Sequence, residues 1–294
     1  MRRSDIQDSR RRHDTTNVLD SQLSRYRLAL TRLAEWGIQV HAASRLRQYE
    51  RRLAAVLEDP SPGLLITEDA GYSLSFDLRE IDEICEIVES FSERPDDGAM
   101  ERIALLPAGM DDPDEEANAA ARDAQYELLL CASLLRGGLV ATLSEPDVEL
   151  RFEGGVYFLE AKRPKSLPRL DDRLHKAVKQ LKGKGPSVVA ISMDLLVRPS
   201  GQLLHSKLAG DFSGVVAHLA LTLLGGQVRA IANRVRGTEV AALVFTTRVP
   251  GFVLDTRMAT LGTHVHAERL VRPAAGRSGL GRRPMGRTPP RRSR

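Results

Sequence analysis

Aromatic residues and cysteines are scarce in this chain of 294 residues. Phe, Trp and Tyr make up 4% of it, so aliphatic side chains and alanine must supply most of the core. Cys85 and Cys131 have no Cys or His neighbour at metal-ligand spacing, which argues against a disulfide scaffold or a thiolate zinc site and favours a reducing compartment. No stretch reaches the roughly 18 uninterrupted apolar residues that cross a bilayer, and the charged start predicts no secretory signal. We therefore expect a cytoplasmic protein without membrane contact.

Several sequence motifs of common enzyme classes are also missing. The chain has no GxxxxGK[ST], GxGxxG, GxSxG or HExxH string. Nucleotide-driven translocation and serine or zinc hydrolysis therefore lack support in the sequence.

Charge is distributed very unevenly along the chain. Residues 61–130 carry 4 basic and 19 acidic side chains, whereas residues 273–294 carry seven Arg and no acid. That last segment also has four Pro and four Gly and almost no large apolar residues, so we expect a disordered Arg-rich tail. Either a solubilising role or weak tethering to a polyanion fits such a tail. Residues 1–16 are expected to form a disordered basic segment.

Residues 17–110 are predicted to be a helical region. Apolar side chains recur at helical spacing from Leu19 to Leu33, from Leu46 to Val56 and from Phe76 to Phe91. The first two helices have Arg-rich outer faces and form a hairpin around Gly37. Their stripes favour packing within the chain, and a homodimer through these helices is the alternative.

Residues 111–272 are predicted to form an α/β domain. A long helix from Pro113 to Arg136 is followed by three short strand patterns, a helix after Pro168 and a buried strand. The predicted strands are Leu139–Leu143, Asp147–Phe152, Val156–Lys162, Ser187–Met193, Val240–Thr246 and Thr260–Leu270, with helical density at about 214–236. Crossover helices between hairpin strands and a buried strand indicate a mixed central sheet.

The second and third predicted strands carry a concentration of charge. With Gly154-Gly155 as a two-residue turn, strand alternation places four charged side chains on one face of the hairpin. They are Asp147, Glu149, Glu160 and Lys162. Clustered carboxylates repel one another, and a hard divalent cation such as Mg²⁺ removes that repulsion.

Two neighbouring helices add further candidate site residues. Glu127 interrupts an apolar run on the long helix, where a carboxylate is costly without a partner. On the helix after Pro168 a polar face is suited to nucleic-acid phosphates. That face carries Arg173, Lys176, Lys179 and Gln180.

Pro146-Asp147 followed by Glu160-Ala161-Lys162, in a hairpin between a Glu-bearing helix and a basic helix, resembles the PD-(D/E)xK nuclease superfamily. The resemblance covers roughly residues 113–195 and implies a restriction-endonuclease-like αβββαβ core. It further implies that Asp147, Glu160 and the carbonyl of Ala161 bind Mg²⁺, or Mn²⁺ in its place. Lys162 would serve the attacking water, with Glu127 joining the site.

The expected function is thus metal-dependent hydrolysis of nucleic-acid phosphodiester bonds, with DNA favoured over RNA as substrate. Two alternatives belong to other classes of protein. One is a catalytically inactive nucleic-acid-binding module of the same fold. The other is an interaction protein built on the helical hairpin, with the α/β part as scaffold.

Overall fold

A computed structural model describes residues 3–58, 68–91, 95–109, 119–198, 204–253 and 258–269. The helices are α1 (Arg3–Glu35), α2 (Arg45–Glu58), α3 (Glu68–Ser90), α4 (Asp97–Ile103), α5 (Ala120–Arg136), α6 (Leu167–Leu181), α7 (Asp194–Val197), α8 (Phe212–Gly225) and α9 (Val228–Val235). The strands are β1 (Val140–Leu143), β2 (Val148–Phe152), β3 (Gly155–Lys162), β4 (Ser187–Ser192), β5 (Leu204–Ser206), β6 (Val240–Val253) and β7 (Met258–Arg269). The predicted start of the long helix at Pro113 and the Arg-rich tail lie outside the described residues.

The first three helices follow the apolar stripes of the sequence and pack within the chain. Leu23, Leu30 and Leu53 are buried in a core that α1, α2 and α3 share. Arg45 of α2 does not belong to the Arg-rich outer face, since it is fully buried and pairs with Glu80 of α3. α1 begins at Arg3, inside the segment expected to be disordered, where no Gly or Pro interrupts it.

The described strands form one mixed sheet in the order β1-β2-β3-β4-β6-β5, with β7 paired to β6. The β1–β2 and β2–β3 pairs are antiparallel, whereas β3, β4 and β6 run parallel. α6 provides the crossover from β3 to β4 that parallel neighbours require. The α/β fold with a mixed central sheet, predicted from the sequence, is confirmed.

The β2–β3 hairpin differs from its predicted register. Its turn is Glu153-Gly154, both with positive φ, and not Gly154-Gly155. Glu149 therefore pairs with Phe158 where the sequence predicts Glu160. Because the displacement is two residues and side chains alternate with a period of two, the predicted face of each side chain is unchanged.

The two faces of the sheet bury different hydrophobic clusters. On one face Val148 and Leu159 join the core formed by α1 to α5. On the other face Phe158 and Val189 join a core closed by α6 and α8. β3 alternates between the two cores and contacts α5 as well as α6.

The predicted helical segment at about 214–236 is two helices, α8 and α9, with a turn at Gly226 and Gln227 between them. Phe212 at the start of α8 packs so closely on Gly251 of β6 that a Cβ there would overlap its ring. Cys85 and Cys131 are free and buried, and burial raises the pKa of each thiol to about 12. Among the described helices, none combines the length and the apolar character needed to cross a membrane.

Candidate active site at the carboxyl end of β3

The charged residues predicted from the hairpin meet where β2 begins and β3 ends. Asp147 directly precedes β2, while Glu160 and Lys162 belong to the last three residues of β3. Glu160 is paired in register with Val189, and Lys162 with Ile191, so both belong to the face covered by α6. This position explains why the Glu160 side chain is fully buried.

Asp147 is hydrogen-bonded to β3, the strand that carries Glu160 and Lys162. Its Oδ2 accepts a hydrogen bond of 2.7 Å from the backbone N–H of Ala161. The antiparallel register, continued by one residue, places Asp147 opposite Glu160. Burial raises the pKa of the Asp147 carboxyl, although the Ala161 N–H and the Lys162 charge oppose that shift.

Glu160 and Lys162 form an ion pair, in which Lys162 Nζ donates to Glu160 Oε1. The other carboxylate oxygen, Glu160 Oε2, is buried and has no hydrogen-bond partner. Burial is the main reason that the pKa of Glu160 rises to about 7, and the charge of Asp147 adds to it. A buried anionic oxygen without a hydrogen-bond partner is an energetic cost that a cation would remove.

Glu127 approaches the same site from α5 and is held by an arginine that the sequence analysis missed. Arg102 Nε donates to Glu127 Oε2 at 2.6 Å, and Arg102 Nη2 donates to the carbonyl of Ser144 at 3.0 Å. One guanidinium thus joins α4, the Glu127 side chain and the segment before Asp147. Burial, with a contribution from Asp147, raises the pKa of Glu127 to about 7.

The carboxylate oxygens of the site are the kind of ligand that a hard cation prefers. In this structure, however, two of the three acids are paired with cationic side chains of the protein. Within the described ranges no three His, Cys, Asp or Glu side chains are arranged so that they could hold a metal ion. Lys162 pairs with Glu160, and Arg102 pairs with Glu127. The donor set of carboxylate oxygens nevertheless suits Mg²⁺, and the unsatisfied Glu160 Oε2 is an available ligand atom.

The polar face predicted on α6 is present but is not part of the acidic site. Lys176, Lys179 and Gln180 are exposed, and Arg173 is half-buried. They project away from the buried stripe of Leu170 and Leu174. Across the described residues, no hydrogen bond or ion pair connects these four side chains to Asp147, Glu160 or Glu127, so their role as a phosphate-binding surface stays a prediction.

A second cation that sequence reasoning missed is Lys184, in the turn between α6 and β4. Its Nζ donates to the carbonyl of Glu145 at 3.2 Å, two residues before Asp147. Lys184 and Arg102 are each separated from the acids by many residues, and neither fits a motif. The Gly-Lys-Gly string at 183–185 is a turn signal, but it does not predict which segment the lysine reaches.

Behind the site lies a buried network of charges centred on Glu80. Arg45, Arg79 and Arg122 all pair with its carboxylate, and together they hold its pKa far below the ordinary value despite burial. A cavity of about 20 Å³ next to this network is lined by Tyr126 and Arg163, the chain neighbours of Glu127 and Lys162. The network therefore lies next to the two segments that present the candidate site.

Comparison with known proteins adds no assignment to this geometry. Neither a protein-family model nor a curated protein matches the chain.

Proposed function

We propose that the protein is a metal-dependent nuclease that hydrolyses phosphodiester bonds in nucleic acid, DNA in preference to RNA. The observation that carries the proposal is the fully buried Glu160 carboxylate, which faces Asp147 and keeps one oxygen without a partner. Carboxyl groups whose pKa values are raised by burial and by one another are typical of functional sites. Asp147 accepts a backbone hydrogen bond from Ala161, so the unpartnered Glu160 Oε2 is the feature that a purely structural ion pair with Lys162 does not explain.

The order of elements supports the same assignment. α5, β1, β2, β3, α6 and β4 follow one another as αβββαβ, the order of the restriction-endonuclease-like core that the PD-(D/E)xK resemblance implies. Asp147 lies at the start of the second strand and the Glu160-Ala161-Lys162 triplet at the end of the third. The motif and the element order therefore favour the same function as the buried Glu160 carboxylate does.

In the proposed reaction a water oxygen bonds to phosphorus and releases a proton, the bond from phosphorus to the leaving oxygen breaks, and the leaving oxygen takes up a proton. Asp147, Glu160 and the Ala161 carbonyl would hold Mg²⁺, with Mn²⁺ as a substitute. The metal, when bound, supplies Lewis acidity to the phosphate and to water. Lys162 Nζ holds and orients the attacking water, and Arg102 keeps Glu127 at the edge of the site.

One observation favours a second candidate function, a nucleic-acid-binding module that does not cleave. Lys162 and Arg102 already neutralise Glu160 and Glu127 without a metal. Such a protein would bind nucleic acid with an affinity that falls as the salt concentration rises. The bound strand would stay uncleaved with or without Mg²⁺, in the wild type and in Lys162 variants alike.

The experiment that decides between them is cleavage by the full-length chain with Mg²⁺, Mn²⁺ or EDTA. Plasmid, linear duplex, single-stranded DNA and RNA serve as substrates. Lys162→Ala should lower the rate by a factor of about 100 or more, because it removes the group that serves the water. Lys207→Ala is the control and should keep wild-type activity. Lys207 is exposed and follows β5, which β4 and β6 separate from β3 in the sheet. Equal rates for Lys162→Ala and wild type, or no metal-dependent cleavage of any substrate, would refute the nuclease assignment.

A further inference from the structure

The turn between α6 and β4 has a firmly fixed backbone. Gly183 N–H donates to Glu239 Oε2 at 2.6 Å, and Lys184 N–H donates to the carbonyl of Leu181 at 3.1 Å. Gly183 and Gly185 have φ values of 80° and 107°, a conformation that favours glycine. The space around both glycines is open, so the backbone conformation and not crowding explains them. The turn thus presents the Lys184 side chain from a defined position.

Lys184 links the segments that precede β4 and β2, the two strands next to β3 in the sheet. The turn leads into β4, on one side of β3, whereas Glu145 precedes β2, on the other side. The 3.2 Å hydrogen bond from Lys184 Nζ to the Glu145 carbonyl therefore places the ammonium group at the rim of the site, beside the segment that ends in Asp147. Lys184 is exposed, so this ammonium group is open to a ligand arriving from solvent.

Three of the cations near the site have different kinds of partner. Lys162 is paired with Glu160, and Arg102 with Glu127. Lys184 has a neutral carbonyl as its partner and pairs with no carboxylate in the described part of the chain. A phosphate oxygen carries negative charge and forms a stronger hydrogen bond to an ammonium group than a carbonyl does.

We propose that Lys184 binds a backbone phosphate of the nucleic-acid strand that enters the site, exchanging the Glu145 carbonyl for a non-bridging phosphate oxygen. This inference rests on the proposed function, since it assumes a nucleic-acid substrate. Lys184 contacts the phosphate next to the reacting one, so it contributes to affinity and strand placement and not to bond cleavage. A phosphate contact carries no base information, and its contribution is independent of sequence.

The test compares Lys184→Ala, Lys184→Gln and Lys184→Arg with Lys182→Ala, an exposed lysine of the same turn. Binding of fluorescent single- and double-stranded oligonucleotides is measured in EDTA over a range of salt concentrations. Lys184→Ala and Lys184→Gln should each bind about tenfold more weakly at low salt. The slope of log affinity against log salt should fall by about 1 in both variants. Lys184→Arg should restore affinity and slope, and Lys182→Ala should resemble wild type.

The Gln variant separates substrate binding from a structural role, because its side chain, one bond shorter than that of lysine, keeps an N–H donor for the Glu145 carbonyl but carries no charge. If Lys184→Gln binds like wild type while Lys184→Ala does not, the carbonyl contact is what matters and the proposal is wrong. An equal loss in Lys182→Ala would show a diffuse charge effect and would also overturn it. In steady-state cleavage Lys184→Ala should raise KM and leave kcat unchanged. A loss confined to kcat contradicts the proposal.

The binding measurements need no metal and no turnover, so the two proposals can fail separately. If Lys184→Gln weakens nucleic-acid binding and Lys182→Ala does not, while the wild-type protein cleaves no substrate, the Lys184 contact is supported and the nuclease activity is refuted. If the wild-type protein shows metal-dependent cleavage and the Lys184 variants keep its binding affinity and KM, the nuclease activity is supported and the Lys184 contact is refuted. A wild-type chain that binds no nucleic acid would refute both.

Discussion

Neutralising Glu160 should make the metal-free protein more stable at neutral and alkaline pH. The folded-state pKa of this fully buried carboxyl is raised from 4.5 to about 7, chiefly by burial. Below pH 4.5 the group is protonated in both folded and unfolded chains and has no effect. As pH rises through 4.5 toward 7, the unfolded chain releases the proton first, so the folded state loses stability. Above pH 7 the loss is constant.

The size of the effect follows from the shift. A change of about 2.5 pKa units at 1.36 kcal/mol each is about 3 kcal/mol. Glu160→Gln keeps the size of the side chain and carries no charge at any pH. We therefore expect it to be more stable than wild type by up to about 3 kcal/mol at pH 8, or about 5–10 °C in Tm. The two proteins should be equal near pH 4.5.

The assay is thermal and urea unfolding from pH 4.5 to 8.5 in EDTA. Glu101→Gln, which neutralises an exposed carboxylate on α4, is the matched control and should follow wild type at every pH. Mg²⁺ should reduce the difference in stability between Glu160→Gln and wild type at pH 8. Binding of Mg²⁺ stabilises the folded wild type, whereas the variant lacks the Glu160 carboxylate as a metal ligand. If Glu160→Gln is less stable than wild type at pH 8, the ion pair with Lys162 outweighs burial and this reasoning is wrong.

Two further predictions concern the buried network and the tail. Glu80→Gln removes the negative charge that Arg45, Arg79 and Arg122 share, and urea unfolding should show a loss of about 3–5 kcal/mol; a loss below about 1 kcal/mol would mean that the arginines find other partners. A chain ending at Arg272 should keep its turnover at saturating substrate, with weaker binding and a shallower salt dependence, measured at two salt concentrations. If that shortened chain binds as tightly as the full chain yet cleaves nothing, the tail belongs to the active site.

Patterns that depend on neighbouring residues predicted much of this fold. The apolar stripes of α1 to α3, the β1–β2–β3 strands and the buried strand β4 all follow local periodicity, and the structure confirms them. The face shared by Asp147 and Glu160 was also predictable, despite an incorrect turn. Two glycines tolerate positive φ better than Glu153 does, which favoured the later turn. The observed turn instead aligns Val148 with Leu159 in the core and brings Asp147 within reach of the Ala161 N–H.

Contacts between distant parts of the chain were not predictable. Arg45 and Glu80 lie 35 residues apart, and each looks like a surface charge in its own helix. Arg102 reaches Glu127 from a short helix with no recognisable motif. Burial of such groups depends on which helices meet, and helical periodicity alone does not specify that. For the same reason, the contact of Lys184 with the carbonyl of Glu145 was not predictable.

Helix α3 lies at the centre of these long-range contacts, with consequences for the motions of the protein. It contacts α1, α2 and α5 as well as β6 and β7. Ser75 donates to the carbonyl of Gly251, and Arg248 of β6 pairs with Asp82 and Glu86. Opening α3 locally would break helical and sheet contacts at once, so we expect its amide hydrogens to be among the slowest to exchange with solvent. Strong protection from exchange is therefore expected in an acidic helix that carries none of the candidate site residues.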